Sequence, residues 1–324
     1  MWHESGPGER FAPKSVIPAP CARDGGIRLT GANQANGFPV GSSGERTKAV
    51  VQLKRTRLAV VALLAIVLPS LSQAADARPV RPGADIIGGA PVTSADGFQF
   101  MAAILDESFG GNDYNKQYCG GSLIAPTWVL TAAHCMEDVS LGNLRVAIGR
   151  TLLNSNPPQG EKIAVKRVEV HPNYNPVSLA HDAALLELVS PSSFTPIRLA
   201  VAPNDDVLES GDRMLTVIGW GTVSTRKQSY PNALQKVDVP VVDDAVCSTS
   251  YKASLDAATM VCAGAPNIDS CYGDSGGPLF DKGSRTQVGI VSWGKGCAKK
   301  RFPGMYSEVN SPGIRSWISG LARV

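Results

Sequence analysis

From Ile86 onward the chain alternates short apolar runs with breaks of glycine, proline, asparagine and aspartate. The runs SLIAPTWVLTAA, KIAVKRVEV, DAALLELV, MLTVIGWG, KVDVPVV, QVGIVSWG and GMYSEV are of strand length, and their spacing is that of an all-β sandwich or barrel. No long helical pattern alternates with them, which argues against a doubly wound parallel sheet. One helix is expected, at the C-terminus. Ser311 stands at the cap, Pro312 suits the first turn, and Ile314, Trp317, Ile318 and Leu321 form one apolar face that should dock on the body. Residues 190–212 are loop-rich and read as the connection between two halves. No internal repeat is evident.

The front of the chain reads differently. Lys54, Arg55 and Arg57 precede an apolar run from Leu58 to Leu68, which Pro69 ends; Ser72-Gln73-Ala74 and Ala75-Asp76-Ala77 each offer a small-x-small cleavage site. This is the layout of a secretory signal peptide, placed at 50–77. The run falls short of the about 20 residues a spanning helix needs, so no stable membrane anchor is expected. Residues 1–49 are rich in glycine, proline, serine and arginine without helical or strand period, and are expected to stay unfolded. A signal peptide that begins about fifty residues in fits a true translation start near Val50 or Val51, with the segment before it an artefact of start-codon choice. A coding sequence with no GTG or TTG triplet there would sink that reading.

Composition sharpens this division. The 324 residues leave room for one large domain or two smaller ones. The formal net charge of +3 hides a split: residues 1–85 carry 11 Lys/Arg against 6 Asp/Glu, and residues 86–324 carry 20 against 22. The main body is nearly neutral, which excludes the basic domain of a nucleic-acid binder. Six of the seven cysteines lie after residue 86. An even set behind an export signal reads as disulfides, and the paired spacings of a zinc site are absent.

The chemistry centres on DSCYGDSGGPLF, residues 269–280. Within it, Gly273-Asp274-Ser275-Gly276-Gly277 fits G-x-S-x-G, the nucleophile elbow of α/β-hydrolases. That fold needs a histidine after the serine, and the four histidines, 3, 134, 171 and 181, all precede Ser275. The elbow is excluded; the order His, Asp, Ser remains. His134 closes the apolar run VLTAAHC, and Asp182 opens DAALLEL, where a carboxylate entering buried sequence needs a partner. Glycines around Ser275 let backbone N–H groups face an oxyanion. Taken singly, such a histidine or aspartate is more often structural, and these residues read as a packed histidine, a turn-capping aspartate and a flexible loop; the three contexts together are far more specific. His171, in HPNYN, reads as a surface loop residue. His181 is expected to point away from the face that Asp182 uses.

IIGG, TAAHC, DAALLEL, GWG, DSCYGDSGGP, SWGKGC and PGMYSEV occur in the order and spacing of the chymotrypsin family. From Ile86 to the C-terminus the chain resembles its trypsin-like serine proteases. The resemblance implies two antiparallel six-stranded β-barrels with a C-terminal helix, and a cleft between them. It makes Ser275 the nucleophile, His134 the general base and then acid, and Asp182 the group that orients the imidazole. The N–H groups of Gly273 and Ser275 become the oxyanion hole, and Ser292 donates to Asp182 from behind. Asp269 becomes the base of a pocket for lysine or arginine, with Ser270 beside it and Gly294 and Gly304 in its walls. Tyr272 takes a rim position where many trypsins carry glutamine. The basic run from Lys295 to Arg301 reads as solvated surface, as a repeller of basic substrate residues, or as an autolysis site.

The same resemblance pairs Cys119 with Cys135, Cys247 with Cys262, and Cys271 with Cys297, each loop contributing on the order of 3 kcal/mol in the chain-entropy model. It also implies a zymogen: cleavage before Ile86 frees an ammonium that pairs with Asp274. Asp85 precedes that bond, and Arg78 and Arg81 are each followed by proline, so a different, activating protease is expected to remove residues 78–85. No cofactor is expected, and no metal, since Arg150 falls near an expected acidic calcium ligand. The whole reads as a secreted, monomeric endopeptidase (86–324) acting on protein or peptide substrates at Lys/Arg, with no nucleic-acid partner. The alternatives are a catalytically silent binding module of the same shape, or a protease whose specificity Tyr272 has shifted.

Overall fold

The structure is a computed structural model that describes residues 86–211 and 213–324. The expected leader 1–49, signal peptide 50–77 and propeptide 78–85 lie outside the described residues. The strands are β1 (Ala90–Pro91), β2 (Met101–Asp106), β3 (Gln117–Ala125), β4 (Trp128–Thr131), β5 (Leu144–Ile148), β6 (Glu161–Val170), β7 (Ala184–Leu188), β8 (Arg198–Leu199), β9 (Met214–Gly219), β10 (Gln235–Val242), β11 (Met260–Ala263), β12 (Pro278–Asp281), β13 (Thr286–Trp293) and β14 (Gly304–Glu308). The helices are α1 (Asp113–Lys116), α2 (Asp244–Tyr251) and α3 (Pro312–Ala322).

The first barrel closes in the order β2-β3-β4-β7-β6-β5, every pair antiparallel. The second runs β9-β10-β11-β14-β13-β12 and closes because β12 also pairs with β9. Two short strands join this second sheet, β1 on β10 and β8 in parallel on β13. The two six-stranded antiparallel barrels and the C-terminal helix expected from the sequence are therefore present.

Burial follows the strand pattern. In β10, Gln235, Val237, Val239 and Val241 are buried while Lys236, Asp238, Pro240 and Val242 are half-buried, the alternation of a strand with one inward face. β2 is buried at all six positions. One hydrophobic cluster holds the interior of the first barrel together with Ile218, Trp220, Phe280 and Ile290 from the second half. Phe98 and Phe100 stand edge-on to Phe280 at 5.1 and 5.3 Å between ring centres, the arrangement aromatic quadrupoles favour. A polar tie, Ser122 Oγ donating to Gln287 Oε1 at 2.6 Å, joins β3 to β13 in the interior.

α3 follows the last strand of the second barrel, yet Ile314, Ile318 and Ala322 pack into that same cluster. Pro312 occupies its first turn as expected, but Ser311 makes no side-chain cap, and its buried hydroxyl has no partner among the described residues. α2 was not legible in the sequence. Its buried Cys247 and Tyr251 lie one turn apart, and Val246, just before Cys247, is exposed, so no apolar stripe announces it. The 190–212 segment contains β8 and a short 3-10 turn at Asp206–Glu209. Asp205 braces it by taking Arg198 through both carboxylate oxygens, at 2.7 and 3.0 Å.

The docking of α3 generates a stability prediction. Ile318→Ala should cost about 2–4 kcal/mol in denaturant unfolding, while Ser316→Ala on the exposed side should stay within about 0.5 kcal/mol. Equal effects would mean the helix is not part of the cooperative core.

Candidate active site

β4 ends at Thr131, and the chain passes through Ala132 and Ala133 into a 3-10 turn at His134–Met136, where Cys135 is bonded back to Cys119 of β3. Asp182, just before β7, is wholly buried. A buried carboxylate is tolerable only when donors replace its water, and three do so. The His134 N–H donates to Oδ1 at 2.9 Å; His134 Nδ1–H and Ser292 Oγ donate to Oδ2 at 2.7 and 2.5 Å. This places the imidazole proton on Nδ1 and leaves Nε2 as an acceptor. Burial alone would lower the His134 pKa, but the charge and hydrogen bond of Asp182 outweigh it and hold it above the usual value.

The other two described histidines depart from expectation. His181 has a left-handed backbone, φ 55°, rather than a strand conformation, and its ring stacks on His171 at 4.7 Å. His171 is not a surface residue: it is 3 % exposed, with Trp317 edge-on at 5.0 Å. Its turn residues correctly mark a loop, but α3 covers that loop. Asn173 N–H donates to Nδ1, so the ring proton sits on Nε2, facing the Gly313 carbonyl at 3.4 Å.

Ser275 comes from the second half of the molecule. Its carbonyl accepts the Gly120 N–H of β3 at 2.7 Å. The next residue, Gly276, has φ 79°, and a Cβ there would lie 2.5 Å from the Gly120 carbonyl oxygen and 2.2 Å from Thr131 Oγ1. Only glycine lets the loop lie this flat on β3 and the end of β4, the wall that carries His134. Asp274, Gly276 and Gly277 spend their N–H groups on Cys271, Val291 and Asp274 carbonyls, whereas those of Gly273 and Ser275 have no acceptor among the described residues. Two bonds fix the peptides around them. Thr222 N–H donates to the Tyr272 carbonyl at 2.7 Å, and Gln117 Nε2 to the Gly273 carbonyl at 3.0 Å. No local pattern in the sequence marks Gln117 or Thr222 for this work. Ser275 makes no hydrogen bond to His134 among the described residues, and His134 Nε2 lies 3.7 Å from Cys135 Sγ. A hydroxyl, an imidazole acceptor and two unspent N–H groups on adjoining walls are the parts an acyl transfer requires.

Two further carboxylates lie close in sequence to Ser275. Asp269 is 2 % exposed; Ala298 N–H donates to Oδ2 at 2.8 Å, while Oδ1 is buried with no donor among the described residues. Burial pushes its pKa up to about 7 against the pull of the Ala298 and Ser270 donors. A Cβ on Gly304 would stand 2.7 Å from that same Oδ1. Ser270 Oγ lies 3.1 Å from Tyr306 Oη, and Gly294 is exposed within the loop closed by Cys271 and Cys297. Asp274 is fully buried, accepts Gly221 and Cys271 N–H groups at 2.7 and 2.9 Å, and is likewise pushed up to about 7 by burial. No cation pairs with it among the described residues. Ile86 is fully buried, and the Ile87 carbonyl accepts the Asp269 N–H at 3.2 Å. Tyr272 is about half exposed.

Among the described residues, the one cluster of metal-ligating types is Cys119, His134 and Cys135, whose two sulfurs are bonded to each other. Arg150 is buried and paired with Asp113 at 2.6 Å. No described helix is long and apolar enough to cross a membrane.

A family model described as Trypsin matches residues 86–318. The chain is 41 % identical to a trypsin of Sarcophaga bullata over 216 residues, covering 64 % of this chain and 80 % of that protein. It is 38 % identical to trypsin-3 of Salmo salar over 62 % of this chain and 82 % of that one. With a trypsin of Saccharopolyspora erythraea the identity is 40 %, over 60 % and 84 %.

The buried carboxylates make stability depend on pH. A carboxyl at 3.8 when unfolded and about 7 when folded binds more protons in the folded state, so it costs stability as pH rises from about 4 through 7. Glu209 and Glu308, raised to about 8 and about 7 chiefly by burial and further by neighbouring carboxylates (Glu308 for Glu209, Asp244 and Asp206 for Glu308), act with the same sign. The uncleaved Ser275→Ala protein should therefore unfold at lower urea at pH 8 than at pH 5, and Asp274→Asn should narrow the gap. A midpoint equal or higher at pH 8 would refute this.

Proposed function

The chain belongs to the trypsin family and is a serine endopeptidase, and we propose that it cleaves polypeptides after lysine and arginine, is made as an inactive precursor and is exported. The observation that carries the specificity is Asp269 Oδ1, a buried carboxylate oxygen without a donor, beneath a glycine at 304 that leaves space above it. A guanidinium or ammonium reaching that oxygen supplies the missing donor and charge at once. Ser270 stands ready to bond the same group, and the bare backbones of Gly294 and Gly304 admit its long stem.

In the proposed mechanism Ser275 Oγ attacks the carbonyl carbon as its proton passes to His134 Nε2. The N–H groups of Gly273 and Ser275 take the charge that develops on the oxygen. Asp182 holds the imidazole with Nδ1 protonated and stabilises the imidazolium. His134 then gives its proton to the leaving amine, which breaks the peptide bond and leaves an acyl-serine. Water attacks the ester carbon as its proton passes to the same nitrogen; the acyl–Oγ bond breaks, the carboxylic acid leaves, and His134 returns the proton to Ser275 Oγ. The Ser275–His134 hydrogen bond is expected to form with substrate bound, as such bonds often tighten only then.

The domain reading is leader 1–49, signal peptide 50–77, propeptide 78–85 and peptidase domain 86–324, with the two halves joined near 190–212. Activation is proposed to cut between Asp85 and Ile86, and the freed ammonium to pair with Asp274. A fully buried carboxylate pushed toward neutrality by burial supports this, because a cation would restore its charge. A residue as acidic as Asp85 before the bond points to a protease of other specificity. A silent binding module is not favoured, since all three reacting side chains are present and Asp182 already holds the imidazole.

Two measurements test the reading. Active protein should begin at Ile86 and cleave Lys/Arg amides rather than Phe/Tyr amides; Ser275→Ala should abolish cleavage, and Asp269→Ser should lower kcat/KM on arginine substrates by about a hundredfold or more. Ile86 at the N-terminus with no cleavage of any substrate would restore the silent module. The acid limb of kcat/KM against pH should lie above the ordinary histidine value of 6.5, because His134 is held protonated there and an imidazolium cannot accept the serine proton. A limb below 6.5 would contradict the Asp182–His134 assignment.

A further inference from the structure

A recess of about 300 Å³ opens beside the candidate site, between the 222–228 segment and the loop at 296–299. Three of its lining residues, Arg226, Lys227 and Lys299, are cations, and none is a carboxylate. Their arrangement is built rather than incidental. Ser224 Oγ accepts both the Arg226 and Lys227 N–H groups at 3.3 Å, which fixes a tight turn carrying the two side chains together. Lys299 folds back over Gly296: a Cβ at 296 would stand 2.9 Å from its ammonium. None of the three has an ion pair among the described residues, and Lys300 and Arg301 follow without one. Lys116, Arg150, Lys162, Arg167, Arg198, Lys236 and Lys282 are matched by carboxylates, while Arg145, Lys252, Arg285 and Lys295 likewise have no ion pair among the described residues but do not line the recess.

The recess shares walls with the reacting centre. Tyr272, which lines it, precedes Gly273 directly, and Thr222, which also lines it, holds the Tyr272 carbonyl. On the other side Ala298, just before Lys299, donates its N–H to Asp269. A polypeptide seated on Ser275 and Asp269 therefore passes within a few residues of three uncompensated cations, at about 3.3–3.6 Å of reach per extended residue.

We propose that this recess is an accessory subsite for aspartate or glutamate side chains of the polypeptide being cleaved, and that Arg226, Lys227 and Lys299 set a preference for acidic residues near the scissile bond. The proposal rests on reading Ser275 and Asp269 as the reacting centre. It deepens that reading by giving the enzyme a second charge criterion opposite in sign to the first: a basic residue at the cut and an acidic one beside it.

The test compares peptides that share one arginine at the cleaved position and differ only in flanking residues, all neutral or with one glutamate scanned along both sides. Exposed charge pairs are each worth a factor of about 1.4 to 5, so the best acidic peptide should exceed the neutral one in kcat/KM by about 3- to 10-fold at low salt. The ratio should fall toward one at about 0.5 M salt, where screening shortens the reach of exposed charges to a few ångströms. It should also fall toward one in the Arg226→Gln/Lys227→Gln/Lys299→Gln protein, whose three changes are all at exposed positions. A ratio of one in the unaltered enzyme, or a preference that survives the triple change, would overturn the subsite. Failure to cleave even the neutral arginine peptide would instead overturn the reading of Asp269, and the subsite with it.

Discussion

A wholly buried carboxylate organises the centre of this molecule. Asp182 can remain in the interior only because three donors replace its water, and those donors come from two places: the turn after β4 and the strand β13. Satisfying one side chain thus fixes the imidazole of His134 in orientation and tautomer, and ties the first barrel to the second. Removing any one donor would leave a charge imperfectly solvated in the interior.

Asp269 and Asp274 show the opposite condition. Both are buried as deeply, but backbone N–H groups are their main donors, and burial pushes both up to about 7. A chain does not keep two such groups for stability, since each costs free energy when ionised. In the proposed function each is completed by a positive charge from elsewhere, the substrate side chain at Asp269 and the freed N-terminus at Asp274. In that proposal, the contrast between one satisfied carboxylate and two wanting ones divides the cleft into a part ready before substrate arrives and parts that await a cation. The unpaired lysines and arginine of the neighbouring recess are the same condition with the sign reversed.

Much of this was legible in the chain. The apolar runs at 162–170, 236–242 and 304–309 coincide with β6, β10 and β14; in β10 one face meets an interior and the alternation survives in the sequence, whereas β14 is buried at four of its five positions. Strands such as β2 carry no alternation, since all six residues are buried, and a short continuous apolar run does not declare its own period. α2 was missed because two buried residues make no stripe. The hydroxyl of Ser311 fits a cap by type but makes no such bond. His171 sits in a run of turn residues and is still buried, because the helix that covers it comes from 142 residues further along the chain, as its contact with Gly313 records.

The sequence by itself determined the strand-rich class, the cysteine set that is paired in the structure, and the order His, Asp, Ser that excluded a nucleophile elbow. These follow from residue type and from order along the chain, which the fold cannot alter. Only the tertiary structure decided which N–H groups remain unspent at Gly273 and Ser275, that Gln117 and Thr222 hold the peptides around them, that Asp269 Oδ1 has no donor, and that Arg226 and Lys299 face one recess. Each of those depends on what a distant segment brings within hydrogen-bonding or charge distance, and no local pattern records it.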